Sequence, residues 1–138
     1  MAQVDHPKWR AWSGYAFENI CLQHIEKIKA ALGIAGVFTR QFSFQAKATD
    51  DEEGAQIDLL IDRNDRVINL FELKFYSKEF LLTKAYSMDL RRKMMVFEHN
   101  TKTKKQISWA MLTTFGLADN AYRLDLIDHD LTIDVLFE

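Results

Sequence analysis

Apolar and polar positions change their period several times along the chain. Between Ser13 and Leu32, Phe17, Cys21, Ile25, Ile28 and Leu32 fall on one stripe at helical spacing. This predicts a helix over 13–32, with Ser13 at its start and Gly33 at its end. From residue 36 to 46, "GVFTRQFSFQA" alternates imperfectly, as a strand does. Residues 56–62 and 67–75 read as two more strands around "RNDR", where Asn64 and Asp65 are turn residues. Both runs are apolar on both faces ("IDLLI", "VINLFEL"), which implies a sheet covered on each side.

Helical spacing returns over 83–98. Thr83 is placed to cap that helix, and Tyr86, Leu90, Met94 and Phe97 form its buried stripe. The uncharged "ISWAMLTT" of 107–114 predicts a central strand. Residues 122–128 and 131–137 read as two further short strands or one strand with an extension. The order is helix, three strands, helix, strand and a strand-like tail. The first three strands are expected to be antiparallel, and the strand after the second helix parallel to a neighbour through a crossover. Residues 1–12 read as a tail or linker remnant whose Trp9 and Trp12 pack on something, and 13–138 as one α/β domain.

Composition narrows the class. With 138 residues, 48% of them hydrophobic, one proline and five glycines, the chain suits a single packed core. No apolar run approaches the roughly 18 residues of a membrane span. The single cysteine, Cys21, permits no internal disulfide and no cysteine-based zinc site, which fits a reducing, cytoplasmic setting. His6, His24, His99 and His129 lack metal-ligand spacing. There is no P-loop and no G-x-S-x-G.

The net charge of −2 conceals an asymmetry. Residues 74–105 carry nine basic and three acidic side chains, while the segments on either side are acidic. The middle of the chain therefore faces a polyanion or is a solvated basic helix and loop; the charge alone fits both.

The chemistry lies where charges interrupt the apolar hairpin. Glu72 and Lys74, at i and i+2 on one strand, share a face. A turn closing at 64–65 sets Asp58 near residues 71–72 on the neighbouring strand. Two carboxylates this close repel in a low dielectric, and a hard divalent cation removes that cost. Oxygen ligands favour Mg²⁺ or Mn²⁺. A lysine on the same face can polarise water or stabilise charge on a phosphate. Glu18, at the margin of the first helix's apolar stripe, reaches the rim of the core.

The run "QIDLLIDR…INLFELKF" resembles the core motif of the PD-(D/E)xK phosphodiesterase superfamily, the restriction-endonuclease-like proteins. The match passes through Asp58 and then Glu72-Leu73-Lys74, with Ile57 where the superfamily's name has proline. The segments "GYAFENICLQHI", "GAQIDLLIDR", "FELKFYSKEFLLTKAYSMDLRRK", "TKTKK" and "TTFGLADNAY" resemble the C-terminal nuclease-like domain of certain bacterial AAA-type ATPases, over nearly the whole chain from about residue 9. The resemblance implies an α-β-β-β-α-β core with a mixed central sheet flanked by helices. It implies Mg²⁺ (or Mn²⁺) held by Asp58, Glu72 and the Leu73 carbonyl, with Glu18 as a further ligand and Lys74 orienting the attacking water. It also implies that the second helix lines a nucleic-acid channel, with Lys84, Arg91 and Arg92 on the phosphate backbone. Gln56 and the loop lysines Lys102, Lys104 and Lys105 are further candidates for phosphate contact, and Tyr86 either packs in the core or supports the lysine face. The expected partners are nucleic acid, in the first place DNA, and an AAA-type ATPase module, covalently or non-covalently associated. The expected activity is metal-dependent phosphodiester hydrolysis; the alternative is a catalytically silent module that binds nucleic acid or regulates the ATPase.

Overall fold

The computed structural model describes the backbone from Pro7 and the side chains from Ser13 to the C-terminal Glu138. Its elements run α1 (Pro7–Gln23), α2 (Ile25–Ala31), β1 (Thr39–Ala46), β2 (Ala55–Arg63), β3 (Val67–Lys74), α3 (Lys84–Thr101), β4 (Gln106–Thr113), α4 (Ala121–Leu126) and β5 (Ile127–Thr132), closed by a 3₁₀ turn, Ile133–Phe137. The fold is mixed α/β. One five-stranded sheet has the order β1-β2-β3-β4-β5. β1 to β3 are antiparallel, and β3, β4 and β5 are parallel, as crossover connections through α3 and α4 require.

The helices cover both faces of this sheet. Phe17, Cys21 and Ile28 from α1 and α2 pack on Leu59, Ile61, Phe71, Ala110 and Leu112. Leu90 and Phe97 of α3 pack on the other face, against Leu60, Ile68, Leu70, Trp109 and Met111. Two apolar layers on one sheet explain why β2, β3 and β4 read as continuous apolar runs.

The expected first helix over 13–32 is two helices. His24 is the break: its imidazole Nδ1 bonds the Ile20 carbonyl at 2.8 Å, taking the acceptor that its own backbone N–H would use in a continuous helix. That N–H turns to Cys21 O instead, at 3.1 Å. Ser13 is not a cap, because α1 begins earlier, at Pro7; residues 7–12 are helix rather than tail. The packing expected of Trp9 and Trp12 lies outside the described side chains. The stop at Gly33 holds. Its φ of 77° is left-handed, and Ile34 N–H and Gly33 N–H bond Lys29 O and Ala30 O, which closes a Schellman motif.

The C-terminal strands also need correction. Residues 121–126 are a helix, because Asn120 accepts from Arg123 N–H at 2.8 Å and caps it. The alternation of Tyr122, Leu124 and Leu126 mimics a strand, yet Tyr122 and Leu124 are exposed and only Leu126 is buried. β5 falls at 127–132, and residues 133–137 form the 3₁₀ turn.

Candidate functional site

The ladder between β2 and β3 ends at the pair Leu59–Phe71. One step further, the same register sets Asp58 opposite Glu72, as the turn at 64–65 predicts. Beside it, the β1–β2 register slips: Phe42 faces Leu60, but Phe44 faces Ile57. Asp58 and Leu59 together oppose the single residue Ser43, which is a β-bulge in β2. The bulge leaves the Leu73 N–H without a ladder partner, and the Asp58 carboxylate accepts it at 3.4 Å. A residue in an extended strand presents its N–H and C=O on the same edge, so the Leu73 carbonyl also faces Asp58.

Glu72 lies on the α3 side of β3 and is 6% exposed. Tyr86 donates its hydroxyl to Glu72 Oε1 at 3.2 Å, and Lys93 Nζ lies 3.0 Å from the same oxygen. Burial, reinforced by repulsion from Asp58, holds the Glu72 carboxyl above the usual carboxylate range despite Lys93. Its second oxygen, Oε2, is buried with no hydrogen-bond partner among the described residues. Lys74 stands two residues on, on the same side. Its ammonium lies 5.6 Å from the centre of the Phe80 ring and 5.8 Å from that of Tyr86, and it forms no ion pair among the described residues. The Tyr86 hydroxyl is pushed strongly upward by burial and by Glu72, so it stays a hydrogen-bond donor.

Glu18 approaches from the opposite layer. It shares with Asp58 a shallow cleft of about 290 Å³, also lined by Gln41 and Ser43. Desolvation, and then repulsion from Asp58, raises the Glu18 carboxyl. Asp58 is thus the hinge of the site, coupled to Glu18 on one side and to Glu72 on the other. Among the described residues, no three carboxylate, histidine or cysteine side chains close into a metal-holding cluster. The donor chemistry nevertheless suits a hard cation: an orphaned buried carboxylate oxygen on Glu72, the Asp58 carboxylate and a carbonyl on the adjoining edge.

The basic residues proposed for phosphate contact are distributed over the whole domain. Gln56 and Lys84 are exposed at the end of the sheet that carries Asp58 and Lys74. Arg91 pairs with Asp125. Arg92 is held by Asp89 at 2.9 Å, by Glu53 at 3.2 Å and by the Gly54 carbonyl. Lys102, Lys104 and Lys105 do not join the site. They precede β4, whose first residue, Gln106, pairs with Val67 at the far end of β3. Five residues of strand, roughly 16 Å at 3.3 Å each, separate that end from Glu72. Lys105 there binds Asp62 and the Arg63 carbonyl.

Sequence reading missed one contributor, Lys93. It follows Tyr86 by seven residues, two helical turns, and so stands on the sheet-facing side of α3. A lysine interrupting the stripe of Tyr86, Leu90, Met94 and Phe97 was the available signal. Tyr86 does both things weighed for it, since its ring packs with Phe80 and lies 5.8 Å from the Lys74 ammonium; its hydroxyl bond to Glu72 is a further role that the sequence did not suggest.

Comparison with family models, with curated proteins and with solved structures finds no match to this chain. Among the described residues, no helix is long and apolar enough to cross a membrane.

Proposed function

We propose that this domain is a metal-dependent phosphodiesterase acting on DNA, with a restriction-endonuclease-like core and an AAA-type ATPase as its partner module. The observation that carries the reading is the Asp58–Glu72–Lys74 group at one end of β2 and β3. The bulge aims one carboxylate at the β3 edge, a second is buried with an oxygen that has no partner among the described residues, and an ammonium that forms no ion pair among them follows on the same face. The element order, with three antiparallel strands between helices and a parallel strand after α3, supports the core assignment.

Asp58, Glu72 and the Leu73 carbonyl would hold Mg²⁺ or Mn²⁺, with Glu18 at its outer side. A cation there would lower the pKa of a bound water and neutralise charge on a phosphoryl oxygen. Lys74, fixed by Phe80 and Tyr86, orients the attacking water and opposes charge developing on the phosphate. Tyr86 and Lys93 hold the Glu72 carboxylate in one orientation. Gln56 and Lys84 stand at the same end and are the candidates for the nucleic-acid backbone.

A second reading has its own support. Lys93 neutralises Glu72 without any metal, as a silent binding or regulatory module would need. The experiment that separates the two is thermal unfolding during a Mn²⁺ titration, paired with cleavage of supercoiled plasmid. The hydrolytic reading expects metal-dependent stabilisation, about 2.7 kcal/mol at a hundredfold excess over Kd, lost in Asp58→Ala. It also expects cleavage that is lost in Lys74→Met, which keeps the aliphatic packing on Phe80. Stabilisation without cleavage leaves the silent module; no stabilisation at all removes the metal site.

A further inference from the structure

The two edges of the sheet are built differently. β5 carries Asp128, His129 and Asp130, has an irregular register against β4, and is tied down by Arg123, which bonds Asp130 at 3.2 Å. Charge and irregularity of this kind blunt an edge against association. β1, at the other edge, is eight residues long, and its middle five, Gln41-Phe42-Ser43-Phe44-Gln45, carry neither charge nor proline. The bulge beside it lies in β2, so β1 itself is uninterrupted. Phe42 is 49% exposed and continues an aromatic row formed by Phe44 and Phe97, whose rings meet edge to face at 5.1 Å.

Those five residues read the same in both directions. A strand paired antiparallel with its own copy about Ser43 sets Gln41 opposite Gln45 and Phe42 opposite Phe44, with Ser43 facing itself on the two-fold axis. Amide pairs on one face and aromatic pairs on the other are favourable cross-strand neighbours. No like charges oppose each other: Arg40 faces Ala46 of the second copy, and Lys47 faces Thr39. Antiparallel pairing also brings the basic start of one strand, Arg40, toward the acidic turn Asp50–Glu53 that follows the end of the other. Arg40, Asp50 and Asp51 are exposed and form no ion pairs among the described residues.

We propose that β1 is a self-association edge, through which two copies of this chain join their sheets into one ten-stranded sheet around Ser43. The outward N–H and C=O groups of β1 supply the hydrogen bonds, and Phe42 and Phe44 of each copy extend the aromatic row across the axis. This arrangement is isologous: the same strand serves both copies.

Sedimentation equilibrium and oxidative cross-linking test it on the full chain. The wild type is expected to give twice the 16.1 kDa of one chain as concentration rises. Phe42→Lys, half-exposed and therefore tolerated by the fold, is expected to return it to a monomer with an unchanged circular dichroism spectrum, and to remove the rise of melting temperature with concentration that a dimer gives the wild type. Register is read separately. Residues that face each other across an antiparallel pair have Cα atoms about 4.5–5.5 Å apart, within the span a disulfide bridges. Ser43→Cys treated with oxidised glutathione is expected to form a covalent dimer with itself. Gln41→Cys is expected to do so only when mixed with Gln45→Cys. The native Cys21 is fully buried and stays silent. A wild type that remains monomeric at the highest attainable concentration, or cross-linking with no preference for these pairs, overturns the proposal.

Discussion

Lys93 Nζ sits 3.0 Å from Glu72 Oε1, and both side chains are largely buried, with 16% and 8% of their side-chain surfaces exposed. The pair joins the middle of α3 to the C-terminal end of β3. It also determines how the carboxylate survives inside the protein, since an unpaired buried charge costs several kcal/mol.

Removing one partner should therefore be far worse than removing both. Lys93→Met is expected to lower unfolding free energy by about 3–5 kcal/mol at neutral pH, because it strands the Glu72 charge. The loss should shrink as the pH falls and Glu72 takes up a proton. Glu72→Gln placed in the Lys93→Met background is expected to recover most of the stability. Urea unfolding of the two single variants and the double variant measures the coupling. Additive losses would mean that the pair does not interact energetically.

The carboxylate group makes stability depend on pH with a definite sign. Glu18 and Glu72 both have carboxyls raised in the folded protein, chiefly by desolvation. The folded state then holds protons that the unfolded chain has already released. Stability attributable to these groups is greatest in acid, begins to fall as the pH passes the unfolded value of 4.5, and reaches its full penalty above the raised values. Glu18→Gln removes the repulsion toward Asp58. It is expected to raise stability at neutral pH by about 0.5–1 kcal/mol, the usual size for relieving an unfavourable surface charge. The gain should vanish below about pH 4, where the carboxyl is protonated in both states. Melting temperatures of the two proteins across that range provide the check; parallel curves would refute the assignment.

The cap of α3 bears on the site as well as on the helix. Thr83 Oγ1 accepts from Tyr86 N–H at 3.1 Å, and Tyr86 is the residue whose hydroxyl reaches Glu72. Thr83→Ala is expected to cost about 1 kcal/mol. Thr83→Ser, which keeps the acceptor, should cost little. Chemical denaturation of both variants measures the difference, and equal losses would show that the hydroxyl is not the cap.

The sequence by itself determined the elements whose signals are local. Thr83 and Gly33 punctuate helices through backbone N–H and C=O groups within a few residues of themselves, so their roles are readable from order alone. The continuous apolar runs of β2, β3 and β4 announced a sheet covered on both faces, and the i, i+2 spacing put Glu72 and Lys74 on one side. Where a competing local bond wins, the pattern misleads: the His24 imidazole breaks a periodic helix, and the Asn120 cap turns an alternating segment into α4. Only the tertiary structure decided which charges meet. The β2 bulge that aims Asp58 at Leu73, the descent of Lys93 onto Glu72 and the removal of Lys102 to Lys105 to the far end of the sheet depend on register and crossover between segments distant in the chain. Burial energy acts on whole faces of elements, so it specifies which face turns inward; the partner of a single charge follows only once those faces are packed together.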